Sequence, residues 1–426
     1  MTNISKSLPQ EFLSHTEAIM GQERFSRFIG AFDEEPPVSI RTNPRKWKDE
    51  EPPTSSSIIY HLPFSAALPV PWCPDGFYLS QRPNFTFDPL FHAGCYYVQE
   101  AASMFIAHCI RHLTPNTQYA LDLCAAPGGK STALRSVLPA DCLLVSNEPI
   151  RKRAQILSEN MQKWGHPNSI VTNNYPQDFA RSGLRETFDL ILCDVPCSGE
   201  GMFRKDPAAI GEWSPQNVER CWQLQRQIVG DIWPCLRPGG VLIYSTCTFN
   251  TKENEENVRW ILENLDAEII AIPTLPDWGI CGSLLPGFDA PVYRFIPGIT
   301  RSEGLFVAIL RKSGDGQRSK DKKQWSKALS RLHQMESSPC AEALSTTFDP
   351  SQHTVVELDY NTAIAYLRRE AIVLPPETPR GIVVVAYQGH PLGIAKNIGS
   401  RANNLYPREW AIKSTYNPTA QPLPSH

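Results

Sequence analysis

Two short apolar runs of the sequence each lead into a cysteine motif, and these thiols are the residues best suited to chemistry. The first run ends in Asp194-Val-Pro-Cys197, which supplies a carboxylate and a thiol, and the second ends in Thr246-Cys247. Open α/β sheets expose reactive groups at the carboxyl ends of their strands, and a thiolate is a strong nucleophile. We therefore predict that Asp194, Cys197 and Cys247 lie in one crevice.

A glycine turn earlier in the chain predicts a second component of that crevice, a nucleotide-like ligand. Tyr119–Cys124 has the pattern of a strand, and Glu148 ends the next strand, 20 residues after Gly128. Glycine lets backbone approach a ligand closely, and a helix N-terminus offers free N–H groups. A carboxylate at this separation accepts hydrogen bonds from ribose hydroxyls. The candidate residues of the turn are Cys124, Ala125, Ala126, Pro127, Gly128, Gly129 and Lys130.

Two common phosphate-binding patterns do not fit this turn. A Walker A loop requires glycine where Cys124 stands, and a dinucleotide fingerprint requires three spaced glycines where only Gly128 and Gly129 occur. An adenosine-containing ligand without a pyrophosphate fits better, and S-adenosylmethionine is the candidate. Asn173 or Asn174, at the end of the third strand of the pattern, is placed to read the adenine edge.

The elements that must position these residues follow from the alternation of strands and helices. Strands are predicted at Ser169–Asn174, Phe188–Cys193 and Val241–Thr246, and the helix Arg151–Trp164 ends before a glycine. This alternation predicts an α/β fold with a doubly wound, mainly parallel sheet. Glu303–Lys312 is predicted to be an edge strand that closes the domain.

Length and composition limit the class of protein. A chain of 426 residues predicts two or three domains, and 41% apolar with 20% charged residues is typical of a globular protein. We find no signal peptide pattern and no apolar stretch that would span a bilayer, which predicts a cytoplasmic location without membrane association. Twelve cysteines without a C-x-x-C pair predict neither disulfides nor a metal site in that reducing compartment. The net charge of −3 restricts any nucleic-acid surface to a local patch.

Several residues of reactive type are predicted to be structural. Glu253, Glu255 and Glu256 have the pattern of the polar first turn of a helix. Arg41 is predicted to be a solvated surface residue, with a phosphate contact as the alternative. The cysteines predicted to fill the core are Cys109, Cys142, Cys193, Cys221 and Cys235.

Composition divides the chain into four parts. Residues 1–95 are predicted to form a small α+β accessory, RNA-binding domain, 96–312 the catalytic domain and 313–344 a mobile basic linker. Residues 345–426 are predicted to form a separate β-rich domain. Near its end the base-stacking and phosphate-binding residue types alternate, namely Arg401, Asn403, Asn404, Tyr406 and Arg408.

Four segments carry a family resemblance. They are YYVQEAASM (96–104), LDLCAAPGGKST (121–132), DVPCSGEGMFRKDP (194–207) and LIYSTCTFNTKENEENV (242–258). They resemble the RNA cytosine-C5 methyltransferases of the NOL1/NOP2/Sun group, and the resemblance spans about residues 38–312. The last domain is similar to the PUA-like domain of bacterial members that act on small-subunit ribosomal RNA. The resemblance implies a Rossmann-like core that uses S-adenosylmethionine.

The same resemblance implies roles for single residues. Cys247 is expected to be the nucleophile and Cys197 to help release the product. The glycine turn, Glu148 and Asp194 are expected to contact S-adenosylmethionine or the base. Two positions depart from the family: the third strand is followed by Asn173-Asn174 where relatives often carry an aspartate, and Gly298 stands where they commonly carry histidine.

The chemistry of cytosine explains a need for two thiols. C5 is a poor nucleophile until a thiolate adds to C6, which turns C5 into an enamine carbon that accepts a methyl group. Lys130 beside Cys247 would favour that thiolate, and Asp194 would bind N3 or the exocyclic amine. The C5 proton must then leave, and Cys197 or a water that it orders is the candidate base. The base must be extruded or single-stranded.

Other functions stay open on the sequence alone. The same chemistry on transfer RNA is one, and methylation of an amino nitrogen is another, although that reaction expects Asp or Asn-Pro-Pro-aromatic instead of Asp194-Val-Pro-Cys197. A DNA cytosine enzyme would use the Pro-Cys thiol alone and leave Cys247 unexplained. A non-catalytic RNA-binding assembly factor would not need intact Cys197, Cys247, Lys130 and Glu148. We expect a monomer.

Overall fold

The N-terminal part is a small antiparallel sheet with three α-helices. The computed structural model describes residues 4–47, 68–113, 116–314, 316 and 322–416. The elements of this part are α1 (Gln10–Met20), α2 (Gln22–Gly30), β1 (Val38–Thr42), β2 (Leu68–Val70), β3 (Cys73–Leu79), α3 (Pro89–His92) and β4 (Tyr96–Val98). The strand order is β2-β3-β1-β4. Because β4 pairs with β1, with Ile40 opposite Val98, this sheet continues past the predicted boundary at residue 95.

The central part is a twisted sheet with helices on both faces. Its elements are α4 (Phe105–Leu113), β5 (Tyr119–Asp122), α5 (Gly129–Val137), β6 (Leu143–Asn147), α6 (Arg151–Trp164), β7 (Ser169–Thr172), α7 (Pro176–Ser182), β8 (Phe188–Asp194), α8 (Ala208–Glu212), α9 (Pro215–Ile232), β9 (Leu236–Thr246), α10 (Glu255–Asn264), β10 (Ala267–Ile269), β11 (Val292–Phe295) and β12 (Leu305–Lys312). The order β9-β8-β5-β6-β7 is parallel throughout. Strands buried on both faces are nearly continuous apolar runs, and β8 is buried along its length up to Asp194. The predicted α/β fold is confirmed.

One strand of this sheet lies elsewhere than the sequence predicted. β12 pairs with β9 on one side and with both β10 and β11 on the other, so the prediction of an edge strand is wrong. Its apolar residues are buried from Leu305 to Leu310. A run with no polar alternation is the pattern of an interior strand, and the short β10 and β11 that cover it carry little sequence signal of their own.

The described part of the predicted linker is packed against the core. Residues 322–329 form the helix α11. Trp325 of this helix is buried and stacks on Tyr119 of β5, with ring centroids 4.4 Å apart. Further along, Leu332 is buried and Asn173 N donates to His333 O. Within α11, Lys323 and Lys327 are exposed, whereas Trp325, Ala328 and Leu329 are buried.

The C-terminal part is a second four-stranded sheet that shares a core with the first. Its elements are β13 (Val355–Glu357), α12 (Tyr360–Leu367), β14 (Gly381–Tyr387), β15 (His390–Asn397) and β16 (Ala402–Asn404). Leu367 and Tyr387 belong to the same hydrophobic cluster as Phe87 and Leu90 of the N-terminal part. The Tyr360 hydroxyl also donates to Phe87 O at 3.0 Å. The two outer domains therefore contact each other as well as the central sheet.

Gly298 has a packing reason. Its φ is +77°, and a Cβ built there would lie 2.2 Å from the Arg27 carbonyl oxygen at the end of α2. A histidine cannot occupy this position without displacing α2.

Within the described residues, no helix combines the length and apolar content needed to cross a bilayer.

We predict that Trp325→Ala lowers the free energy of unfolding of the central part by about 3–5 kcal/mol, because it removes a large buried side chain and leaves a cavity against Tyr119. Urea denaturation followed by fluorescence measures this change. The matched control is Leu275→Ala, since Leu275 is 60% exposed and such a change stays within about 0.5 kcal/mol. A loss below about 1 kcal/mol for Trp325→Ala would mean that α11 is not docked on the sheet.

Candidate active site

The carboxyl edge of the central sheet gathers the residues that the sequence singled out. β5, β6, β8 and β9 are parallel neighbours, so the glycine turn, Glu148, Asp194 and Cys247 leave the sheet at the same edge. The structure brings these groups together in the crevice expected for an open α/β sheet.

The two thiols lie in direct contact. Cys197 Sγ and Cys247 Sγ are 3.1 Å apart, and both side chains are half-buried. Val195 N donates to Ser245 O, and Gly201 N donates to Cys247 O, so the loops that carry the thiols are tied at both ends. The hydrogen bond with Cys247, followed by burial, raises the pKa of Cys197 well above its ordinary value. This raised pKa favours the protonated form of Cys197.

A lysine and a carboxylate form an ion pair beside the thiols. Lys130 Nζ lies 2.9 Å from Asp194 Oδ2, and the Ser245 hydroxyl donates to Asp194 Oδ1 at 2.8 Å. Burial acts to lower the pKa of Lys130, but Asp194 and, more weakly, Cys247 raise it to a net increase. Lys130 therefore remains a cation within the electrostatic reach of Cys247.

The glycine turn has the geometry of a ligand cradle. Gly128 adopts φ +116° and caps the N-terminus of α5, a conformation that glycine adopts without strain. The turn is held from α6, where Arg153 donates to Ala126 O and Asn160 donates to Pro127 O. The first N–H groups of α5 have no intrahelical acceptor, so they are available to a carboxylate or another anionic group of a ligand.

Arg41, from the N-terminal sheet, holds the helix α5 that follows this turn. It is fully buried, its Nε donates to Gln99 Oε1 at 2.7 Å, and its Nη2 donates to Thr132 Oγ1 at 2.6 Å. Its Nη1 donates to Ser136, and the guanidinium lies 4.5 Å from the Trp164 ring centroid. Both sequence interpretations of Arg41 are wrong, because the side chain is fully buried and each guanidinium nitrogen donates to a protein group. These hydrogen-bond partners lie 58 to 95 residues away along the chain.

Glu148 carries the clearest sign of a ligand-binding site. Its side chain is buried, and Oε1 accepts from Ile150 N at 3.0 Å. Oε2 has no hydrogen-bond partner among the described residues, although Arg153 lies at ion-pair distance, 3.5 Å. Buried polar atoms are almost always hydrogen-bonded. A ribose hydroxyl would satisfy this oxygen, so the residues present fit an adenosine-containing cofactor.

The two asparagines are committed to the protein itself. Asn174 Nδ2 donates to His333 O and its Oδ1 accepts from His333 N. Asn173 Nδ2 donates to Glu148 O and Pro149 O. Asn174 therefore anchors the segment after α11. Both of its side-chain groups are bonded to His333, so its amide is not positioned to bind adenine.

The sequence interpretation missed Asp122 at the end of β5. It is fully buried, its Oδ2 accepts from Ser131 Oγ at 2.6 Å, and Oδ1 has no partner among the described residues. Burial is the largest cause that raises its pKa to about 7; the hydrogen bond from Ser131 acts to lower it, and Asp194 acts to raise it. The signal was available, since Asp122 follows an apolar run just as Asp194 does.

The acidic residues after Cys247 also differ from their interpretation. Glu255 and Glu256 lie in the first turn of α10 as predicted, but Glu253 precedes the helix. Glu253 and Glu255 are fully buried. Glu255 forms a buried ion pair with Arg294, whose Nε lies 2.7 Å from Oε1. The cysteines predicted to be structural, Cys109, Cys142, Cys193, Cys221 and Cys235, are all buried.

Three family models cover most of the chain. Residues 111–311 match the 16S rRNA methyltransferase RsmB/F model, 8–101 match the N-terminal domain of 16S rRNA methyltransferase RsmF, and 353–412 match the methyltransferase RsmF PUA domain. The chain is 30% identical to ribosomal RNA small subunit methyltransferase F of Pectobacterium carotovorum, with 95% of this chain and 96% of that protein covered. The chain belongs to the family of ribosomal RNA small subunit methyltransferase F. The Pectobacterium atrosepticum protein of the same name is 29% identical over the same shares.

Solved structures agree with this family in fold. A methyltransferase homologue from Pyrococcus horikoshii has a TM-score of 0.60 at 25% identity, covering 73% of this chain and 99% of that one. NSun6 from the same organism, solved with SFG, has a TM-score of 0.59 at 20% identity, covering 72% and 99%. The protein is an S-adenosylmethionine-dependent ribosomal RNA methyltransferase with a PUA domain, and the predicted cofactor is confirmed.

We predict that Glu148→Gln weakens binding of S-adenosylhomocysteine by about tenfold or more, because it removes a charge-assisted hydrogen bond to ribose. Isothermal titration calorimetry measures the dissociation constant. Glu212→Gln is the matched control, since Glu212 is exposed on α8. Equal affinities for all three proteins would contradict the placement of Glu148 at the ribose.

We also predict a pH effect from Asp122. Its pKa of about 7 in the folded protein exceeds the value of about 3.9 for an unperturbed aspartate. Its contribution to stability is therefore present below about pH 4 and lost as the pH rises through 7. Relative to the cofactor-free wild type, Asp122→Asn should become more stable as the pH rises from 4 to 8. Melting temperatures measured from pH 4 to 8 test this prediction. Asp277→Asn, at an exposed position, is the control. Parallel curves of melting temperature against pH for wild type and Asp122→Asn would refute the prediction.

Proposed function

We propose that this methyltransferase acts on C5 of a cytosine in small-subunit ribosomal RNA, through a covalent bond between Cys247 and C6. The observation that carries the proposal is the contact of two thiols, 3.1 Å apart, next to the Lys130–Asp194 ion pair. Methylation of an amino nitrogen needs neither thiol, and a DNA-type cytosine enzyme needs only the Pro-Cys thiol.

Cys247 is the attacking group in this proposal. Its thiolate is favoured by the nearby cation Lys130 and by the hydrogen bond that the protonated Cys197 donates. Addition to C6 gives C5 enamine character, and the bound S-adenosylmethionine supplies the methyl group. Asp194 accepts from the exocyclic amine of the base, because its contacts with Lys130 and Ser245 leave lone pairs free on both oxygens.

Cys197 then changes its protonation behaviour. The first cause of its raised pKa is the hydrogen bond with Cys247. Once Cys247 is bonded to carbon, it has neither a proton nor a negative charge, so this cause disappears and the pKa of Cys197 falls. Cys197 can then lose its proton and, directly or through a water, remove the C5 proton. Breakage of the Cys247–C6 bond completes the turnover.

The RNA must present an unstacked base to the crevice. In the PUA domain, Arg401, Asn403 and Arg408 are accessible, in keeping with phosphate or base contact. Tyr406 is 1% exposed, and Asn404 Nδ2 donates to Tyr366 O at 2.8 Å. These two residues of the predicted RNA-contact set are structural instead. The family match to small-subunit ribosomal RNA enzymes favours that substrate over transfer RNA.

We predict that the purified wild-type protein forms 5-methylcytosine in small-subunit ribosomal RNA. The substrate is this RNA, free or in small subunits, from a strain that lacks the gene. Mass spectrometry of nuclease fragments of the RNA detects the product. Cys247→Ser should reduce the rate by at least about 1,000-fold, because the hydroxyl is a far weaker nucleophile. Cys197→Ser should release product slowly and accumulate a covalent protein–RNA complex on denaturing gels.

The control substitution is Cys221→Ser, at a thiol buried in α9, which should change neither readout. Methylation of an amino nitrogen, or methylation of transfer RNA alone, would contradict the proposed reaction. An adduct that accumulates in Cys247→Ser instead of Cys197→Ser would reverse the roles of the two thiols.

A further inference from the structure

Two buried carboxylates tie the cysteine loops to each other. Glu200 belongs to the loop that carries Cys197, and Glu253 belongs to the loop that carries Cys247. Glu253 is fully buried and Glu200 is 2% exposed. Each carboxylate accepts hydrogen bonds from the backbone of the opposite loop, so the arrangement is reciprocal.

Glu253 fixes the backbone around Cys197. Its Oε2 accepts from Ser198 N at 3.0 Å and from Gln225 Nε2 at 2.7 Å. The same Gln225 nitrogen donates to Pro196 O at 2.9 Å. Pro196 and Ser198 flank Cys197 in the sequence, so one carboxylate and one amide set the position of this thiol from both sides.

Glu200 fixes the backbone after Cys247. Its Oε2 accepts from Phe249 N at 2.6 Å and from Asn250 N at 3.0 Å. Its Oε1 accepts from Trp213 Nε1 at 3.0 Å, which further restrains the carboxylate.

The two acids lie close to one another. Asn250 Nδ2 donates to Glu200 Oε1 at 3.0 Å and to Glu253 Oε1 at 2.8 Å. Burial and then Glu200 raise the pKa of Glu253 to about 7. A buried pair of like-charged groups is unfavourable for stability, so stability alone does not account for its presence beside the thiols.

We propose that Glu253 and Glu200 are positioning residues that hold the two sulfur atoms at reaction distance, Glu253 acting on Cys197 and Glu200 on Cys247. The proposal rests on the proposed function, because it assigns the release step to Cys197 and the attack to Cys247. A displacement of about 1 Å in a reacting group can reduce a rate by about 100-fold.

The test compares Glu253→Gln with Glu200→Gln. The groups that bond to these two carboxylates are all hydrogen-bond donors. Glutamine has nearly the volume of glutamate but carries an NH2 donor in place of one oxygen. Each variant therefore loses the hydrogen bonds at that oxygen. Glu253→Gln should accumulate the covalent protein–RNA complex at least about tenfold over wild type, as Cys197→Ser does. Glu200→Gln should form the complex about 10–100-fold more slowly and should not accumulate it. The matched control is Glu263→Gln, at an exposed position of α10.

A second measurement needs no RNA. Diamide removes two protons and two electrons from a pair of thiols, is reduced to a hydrazine, and leaves one disulfide. The rate at which the Cys197–Cys247 cross-linked peptide forms therefore reports the distance between the thiols. Both variants should cross-link at least about tenfold more slowly than wild type, with unchanged affinity for S-adenosylhomocysteine. If Glu253→Gln does not fold, Gln225→Met should give the same adduct accumulation, because it frees the Pro196 carbonyl.

The outcomes separate the two proposals. Wild-type cross-linking rates in both variants, or equal slowing of turnover with no difference in adduct accumulation, would overturn the positioning role. Slower cross-linking in both variants, combined with no adduct in Cys197→Ser, would support the positioning role and refute the thiol chemistry of the proposed function.

Discussion

The parallel pairing of β8 with β9 is the constraint on which the rest of the site depends. Asp194 lies opposite Ser245 in this register, and the Ser245 hydroxyl donates to the Asp194 carboxylate. Cys197 follows three residues after Asp194 and Cys247 two residues after Ser245, so both loops leave the sheet at the same height. Both strands are buried on both faces, and a slip of one residue would turn every side chain to the opposite face. The burial that stabilises the sheet thus also sets the distance between the thiols.

The cofactor side of the site depends on the position of β5 in the same sheet. The chain runs from β5 through β6 to β7 in one direction and then returns to β8 and β9 on the other side of β5. A crevice opens where the strand order reverses, so the glycine turn after β5 faces the loop after β8. This places Lys130 of the turn against Asp194. Arg41 holds the helix that follows the turn, so cofactor and thiol sites are linked by the sheet and supported by the N-terminal domain.

The sequence revealed features whose cause is local and missed those whose cause lies far along the chain. Apolar runs, the glycine turn and the end of α6 at Gly165 are local, and their positions agree with the structure. The interior position of β12 depends on pairing with β10 and β11, which no local pattern specifies. Arginine and asparagine are usually exposed residue types. Arg41 and Asn174 nevertheless form hydrogen bonds with Gln99 and His333, which lie in other domains or segments. Polar residues buried by distant partners are the main limit of the sequence interpretation.

The buried acids of the site fall into two groups that hydrogen bonding separates. Glu200 and Glu253 accept at both oxygens from backbone or amide donors, so their full satisfaction fixes loop geometry and leaves little capacity for a ligand. Glu148 and Asp122 each have one oxygen with no hydrogen-bond partner among the described residues. An unsatisfied buried oxygen is costly, so Glu148 and Asp122 each call for a hydrogen-bond donor that the described residues do not supply. The saturated acids therefore belong to the framework of the thiols, and we propose that the unsaturated ones, Glu148 and Asp122, face the cofactor.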